Sequence, residues 1–163
     1  MRYVTDEKEI EEIKKYMEIA AEEAKKSTCK KSQRGAVIVK DGKIIGKGYN
    51  KVTIEDLCNP CIRENINDNS RVELCSAIHA EQMAIIDAVK SGESLEGSRM
   101  YHIKLKNGEP KPSGKPSCTV CSRMLYVAGI ELVLWHEDGY AIYTPEELNR
   151  LSFEYFLKNR LAD

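Results

Sequence analysis

The chain has 163 residues, 42 % of them apolar and 31 % charged, a size and composition that suit one folded core. Lys and Arg number 25 against 26 Asp and Glu, and a net charge of −1 excludes a strongly basic coat for nucleic acid. The longest apolar runs, such as Ala36-Val37-Ile38-Val39 and Leu132-Val133-Leu134-Trp135, fall far short of the roughly 20 residues of a membrane span.

In chain order, residues 6–26 carry Ile10, Ile13, Met17, Ala20, Ala21 and Ala24 at helical spacing, predicting an amphipathic helix that Thr5 or Asp6 can cap. Residues 35–40 and 43–49 are two β-rich runs joined by Asp41-Gly42, a pair suited to a type I′ hairpin. Residues 50–70 show no clear period, with one short helix expected around 62–66. Ile78, Met83, Ile85, Ile86 and Val89 predict a buried helix over 76–90, followed by a strand at 100–105. Residues 106–117 hold three prolines and two glycines and are expected to be irregular. A helix over 118–128 stopped by Gly129, a strand at 130–135 and a last helix over 144–160 complete the chain. Thr144-Pro145-Glu146-Glu147 is a capping-box start for that last helix. Strand, helix, strand in succession implies right-handed parallel crossovers, hence an α/β fold of three layers, α/β/α, with helices on both faces of a mixed sheet of the five-stranded type. One domain over 1–163 is expected, with its core at 34–135.

The first ten residues are polar and acidic, without a basic stub leading into an apolar stretch, so a cytoplasmic protein is expected. That makes the six cysteines, Cys29, Cys58, Cys61, Cys75, Cys118 and Cys121, informative, because thiols in a reducing compartment serve metals or catalysis more often than disulfides.

His79-Ala80-Glu81 opens one predicted helix, and Cys118-Thr119-Val120-Cys121 opens another 37 residues after Glu81. Cysteines at i and i+3 share a helix face, and a helix N-terminus favours their thiolates. One His and two Cys make three ligands for zinc, leaving the fourth position open for water, which is the catalytic rather than the structural arrangement. Zinc lowers the pKa of such a water to roughly 7, and Glu81, two residues from a ligand, is placed to carry its proton. Each half alone reads equally well as a hydrogen-bonded core histidine or a redox pair; together, in this order, they match the zinc-deaminase signature.

The run from Arg34 to Trp135 resembles the deoxycytidylate deaminase family of the cytidine-deaminase-like superfamily. The likeness is carried by Gly35-Ala36-Val37-Ile38-Val39-Lys40-Asp41-Gly42, Gly48-Tyr49-Asn50, Cys61-Ile62-Arg63-Glu64, Glu73-Leu74-Cys75, His79-Ala80-Glu81-Gln82-Met83-Ala84-Ile85 and Ala128-Gly129-Ile130. The resemblance implies an α/β/α deaminase, a homo-oligomer, and hydrolysis of dCMP to dUMP and ammonia, with zinc-activated water attacking ring C4. Carried over, His79, Cys118 and Cys121 hold the catalytic zinc, Glu81 shuttles the proton, and Asn50 and Ala80 contact substrate. The chain departs from the family pattern at Ser117, which separates Pro116 from Cys118, at the longer 106–117 connection beside the metal, at Lys51-Val52-Thr53-Ile54 after Asn50, and at Val72 before Glu73. The long connection is expected to act as a lid or specificity loop.

Of the four remaining thiols, Cys58 and Cys61 have zinc-ligand spacing and Cys75 lies fourteen residues on. Some members of the family that the chain resembles carry a second zinc near these positions, so Cys29, Cys58, Cys61 and Cys75 are expected as a structural site, against a reading in which Cys29 is a small buried hydrophobe and any site is three-ligand or absent. Nine basic residues lie between Lys25 and Lys51 against only Asp41; solvated positions are the favoured reading, over a phosphate-attracting face. Lys104, Lys106, Lys111, Lys115, Arg63 and Arg71 are the candidates for a substrate phosphate. His102 and His136, in or beside strands, are read as structural. The expected partner is a small nucleotide, without membrane or nucleic acid. The competing readings are deamination of another amino-bearing base, nucleoside or intermediate, a polynucleotide-editing enzyme, or a silent zinc-binding partner subunit.

Overall fold

A computed structural model describes residues 1–65, 74–113 and 115–160. In chain order it contains β1 (Arg2–Tyr3), α1 (Glu7–Lys25), β2 (Gln33–Lys40), β3 (Lys43–Tyr49), β4 (Lys51–Val52), a 3₁₀ turn at Glu55–Leu57 and β5 (Ala77–Ile78). There follow α2 (Ala80–Lys90), β6 (Arg99–Lys106), β7 (Glu109–Lys111), α3 (Thr119–Ala128), β8 (Glu131–His136), β9 (Gly139–Tyr143) and α4 (Pro145–Arg160).

The main sheet runs β1-β9-β8-β6-β2-β3, with β7 paired to β6, and β4 with β5 form a separate two-stranded ribbon. Five long strands therefore make the sheet, and the short β1 and β7 bring it to seven. β6 and β8 are parallel and the other neighbours antiparallel, as expected of a mixed sheet. Buried residues divide into two clusters on the two faces. Ile13, Tyr16, Met17 and Ala20 of α1 pack on Val37, Tyr101 and Val133, while α2, α3 and α4 cover Ala36, Ile38, Met100 and Leu132. This is the three-layer α/β/α arrangement.

Local chemistry explains most of the boundaries. Asp6 caps α1 by accepting from the Glu9 N–H at 2.9 Å. Asp41 and Gly42 both adopt positive φ in the β2–β3 turn. Gly129 ends α3 in the left-handed conformation, and Thr144 and Glu147 exchange the two bonds of a capping box.

Two expectations need correction, and the structure adds one strand that the sequence reading lacks. The 106–117 segment is not wholly irregular: Asn107-Gly108, both at positive φ, turn the chain into β7, whose Pro110 is tolerated because the strand has only one neighbour. The strand β9 follows the two-residue turn at Glu137-Asp138 and completes the fifth long strand. The helical turn of the 50–70 segment lies at Glu55–Leu57 rather than at 62–66; residues 62–65 are turns and Ile66 lies outside the described residues.

Candidate active site

Two helix N-termini meet at the site. His79 is the N-cap of α2 and Cys118 the N-cap of α3; Glu81 and Cys121 lie in the first turns of the same helices. The sheet fixes this meeting. Gly48 in β3 lies so near α2 that a Cβ there would collide with the Ala80 carbonyl and the Ala84 nitrogen, so a side chain at this position would displace the α2 N-terminus. The Gln82 side chain accepts from the His79 N–H at 3.0 Å, tying the N-cap residue to the first turn of α2.

His79 Nδ1 stands 3.4 Å from Cys118 Sγ and 3.3 Å from Cys121 Sγ, and the three ligand atoms all lie within 4.8 Å of one another. Zinc–nitrogen and zinc–sulfur bonds of normal length meeting at a tetrahedral angle would separate N and S by about 3.6 Å, so these residues fit the ion. Cys121 is fully buried, Cys118 nearly so, and the Cys121 N–H points at the Cys118 sulfur at 3.4 Å. The hydrogen bond from Cys121, opposed by burial, draws the Cys118 thiol down to about 5, while the same bond pushes Cys121 up. Burial disfavours a charged His79, but its bonds to Cys118 and Cys75 carry its pKa up to about 10. Protons shared among three such donors are what a cation displaces.

Glu81 is 4 % exposed. Burial opposes its ionisation, while the neighbouring His102, His79 and Arg34 favour the carboxylate and bring it down to about 2. Ser117 Oγ donates to Glu81 Oε1 at 2.9 Å, and His102 Nε2 stands 3.9 Å from the same oxygen. Burial drives His102 down to about 4, so near neutral pH it is an uncharged imidazole and the cations holding Glu81 are His79 and Arg34. A cavity of about 300 Å³ opens on His79, Glu81 and Cys118 and is also lined by Asn50 and Ala80. Asn50 is buried: its Oδ1 accepts from Ser27 Oγ at 2.7 Å and the Arg34 N–H at 2.8 Å, and its Nδ2 donates to the Ser32 carbonyl at 2.7 Å. These bonds tie the end of β3 to the loop before β2 and use one of its two amide N–H groups, the other having no partner among the described residues.

Cys29, Cys58, Cys61 and Cys75 are free and partly buried, and no three of them are gathered within the 4.8 Å that unites His79, Cys118 and Cys121. Cys58 and Cys61 face each other across a single antiparallel bridge, and Cys58 Sγ lies 3.2 Å from Ser76 Oγ. Cys75 sits against His79, whose hydrogen bond, opposed by burial, brings this thiol to about 7.

A family model described as the cytidine and deoxycytidylate deaminase zinc-binding region matches residues 10–137. The chain belongs to this family. Its members are hydrolytic deaminases, and zinc suits both the family and the His/Cys/Cys group of this deaminase. The deoxycytidylate deaminase of Mycobacterium phage D29 is 30 % identical over 132 residues, covering 76 % of this chain and 93 % of its own. The crystal structure of dCMP deaminase from the cyanophage S-TIM5, in complex with dCMP and dUMP, matches with a TM-score of 0.52 at 26 % identity, over 78 % of this chain and 82 % of that one. Cytidine deaminase from Burkholderia pseudomallei shares the fold, with a TM-score of 0.55 at 17 % identity over 83 % of this chain and 94 % of that one.

Three residues of the site went unmarked in the sequence. Ser117, noted only as a departure between Pro116 and Cys118, holds the Glu81 carboxylate. His102, read as structural, is buried beside Glu81, and Arg34, one of the nine basic residues read as solvated, lines the same cavity. The alternation of β6 and β2 could have shown which side chains share a face, but not which face carries the site. Of the phosphate candidates, Lys104, Lys115 and Arg63 line the cavity and Lys106 and Lys111 do not; Arg71 lies outside the described residues.

Proposed function

We propose that this deaminase hydrolyses the exocyclic amino group of a cytosine nucleotide, dCMP to dUMP and ammonia. The observation that carries the reading is the buried Glu81 carboxylate, in the same cavity as a three-ligand His79, Cys118, Cys121 group. The names of the phage relatives support the substrate.

His79, Cys118 and Cys121 would hold zinc, which when bound activates water as a nucleophile near neutral pH. Glu81 is ionised and so accepts one proton of the attacking water and delivers it to ring N3, then takes the second proton of the same oxygen and delivers it to the departing amine. Ser117 occupies Glu81 Oε1 and fixes the carboxylate, leaving Oε2 for the proton. Asn50, with one amide N–H to spare, contacts the sugar, and Ala80, fully buried at the start of α2, forms the wall behind the ring.

In the same reading Cys29, Cys58, Cys61 and Cys75 hold a second, structural zinc that ties the segments carrying them together. The chain acts as one deaminase unit and self-associates. Exposed Ile86 and Val89 on α2 and Tyr126 and Val127 on α3 support that association, which light scattering measures. No helix among the described residues is long and apolar enough to cross a membrane.

The test is ammonia release across dCMP, CMP, dCTP, deoxycytidine, cytosine, guanine and adenosine, with Glu81→Ala as control. Turnover is expected on dCMP and not in the control. Turnover on guanine or adenosine alone would replace the substrate, and undiminished turnover in the control would remove Glu81 from the chemistry.

A further inference from the structure

The last helix reaches the active site from the side. α4 follows the residues 10–137 that the family model matches, and it packs on α3, whose N-terminus carries Cys118 and Cys121. Leu148, Ser152 and Tyr155 recur at i+4 and i+3 and so share one face of α4. Leu148 is buried in the core, and the Tyr155 ring centroid lies 5.9 Å from Lys115 Nζ. Ser152, between them, is fully buried, where a hydroxyl is costly unless it is bonded. A serine inside a helix can return its hydroxyl to a carbonyl of its own preceding turn. Ser152 instead reaches out of the helix, and its Oγ donates to the Ser117 carbonyl at 2.7 Å.

Ser117 faces both ways. Its carbonyl takes the Ser152 bond, and its Oγ donates to Glu81 Oε1 at 2.9 Å, both in buried surroundings. The two bonds run in series, from the α4 side chain to the Ser117 backbone and from the Ser117 side chain to the carboxylate. A serine Oγ moves only among the staggered rotamers about one bond, so where it stands is set by where its backbone is held. The competing neighbour of the carboxylate is His102, whose Nε2 is 3.9 Å from the same oxygen and whose ring nitrogens have no hydrogen bond among the described residues. If the Ser117 backbone recedes, that imidazole is the group toward which Glu81 turns, and a misplacement of about 1 Å is enough to slow a reaction severely.

We propose that Ser152 is a positioning residue of the deaminase, acting through Ser117 to hold the Glu81 carboxylate in the orientation that moves protons. The inference rests on the role given to Glu81 above and extends the machinery to α4, outside the matched family region. Asn149 supplies the internal comparison. Its Oδ1 accepts from Ser122 Oγ at 3.1 Å, a second bond between α3 and α4 that does not lead to Glu81.

A double-mutant cycle on the zinc-loaded full chain tests it, with dCMP as substrate. Ser152→Ala, which keeps α4 helical, should lower kcat about fivefold with KM and zinc content unchanged, as one lost hydrogen bond implies. Combined with Ser117→Ala it should cost no more than Ser117→Ala alone, because effects that pass through one residue do not add. Asn149→Ala should lower the melting temperature and keep kcat. A second readout needs no turnover: in protein labelled with ¹³C at its glutamate carboxyls, the Glu81 resonance, assigned by its loss in Glu81→Gln, should shift in the same direction in Ser152→Ala and Ser117→Ala and stay in place in Asn149→Ala. That pattern without ammonia release from any cytosine compound would support the brace and count only against the deaminase reading. A Glu81 resonance unmoved in Ser152→Ala, kcat losses that multiply in the double variant, or an equal kcat loss in Asn149→Ala would overturn the inference.

Discussion

The thiols of this chain fall into two groups that differ in what holds them. Cys118 and Cys121, with His79, stand at the N-termini of α3 and α2, and those termini are positioned by the sheet, which brings their ligand atoms within 4.8 Å of one another. Cys29, Cys58, Cys61 and Cys75 lie on connecting segments, are only partly buried, and are not gathered. Preassembled ligands give a metal site whose geometry belongs to the protein; ligands on loops give one whose geometry the metal must impose, with binding energy spent on ordering the chain. The first suits catalysis and the second suits structure.

The largest expected effect breaks the helix-held group. Cys118→Ser and Cys121→Ser should each remove one zinc per chain, read by metal analysis, and bring ammonia release to background, since the remaining ligands no longer match a tetrahedral ion. Full activity in either variant would mean that the two helix N-termini are not the metal site.

Next in size is Glu81→Gln, expected to lower kcat by roughly 10³ with zinc content unchanged, in line with the loss of a general acid–base. Ser117→Ala, which frees the carboxylate without removing it, should cost about tenfold, comparable to one lost hydrogen bond to a charged group. If Ser117→Ala matches Glu81→Gln, the serine takes part in the proton transfer itself.

The loop-held group should respond differently. Two zinc ions per chain are expected from protein prepared with zinc, and the more weakly held one should leave first under chelator. Cys58→Ser should then lose that ion and lower the melting temperature while kcat stays within the same order of magnitude. One zinc per chain in native protein would reject the four-thiol site and leave Cys75 as a partner of His79 alone.

How much of this was legible in the sequence follows the same division. The catalytic ligands could be read because helix periodicity and capping are local, so Cys118 and Cys121 at i and i+3 declare a shared face whatever the rest of the chain does. The hairpin at Asp41-Gly42 was legible for the same reason, while Asn107-Gly108, an equally local turn signal, was masked by the prolines around it. What could not be read is non-local. The neighbour of Glu81 is His102 from a strand 21 positions on, and Arg34 meets Lys104 only through sheet register. Nor does spacing alone say whether four cysteines on connecting segments converge.

The smallest effect sharpens the comparison by asking which half acid attacks first. His102 faces Glu81, with Arg34 and His79 near it, and burial depresses its pKa to about 4 from an ordinary 6.5. Between those values the unfolded chain binds a proton that the folded chain refuses, so stability is fully present above about pH 6.5 and falls as the pH drops toward 4. At pH 5 the loss from this one group is about 2 kcal/mol relative to neutral pH. Urea midpoints at pH 7 and pH 5 should therefore differ more in native protein than in His102→Gln, which cannot take up the proton. An equal drop in both proteins would place the acid-sensitive group elsewhere. A drop confined to native protein would place the first acid-sensitive group at His102, the β6 residue beside the Glu81 carboxylate of the helix-held site.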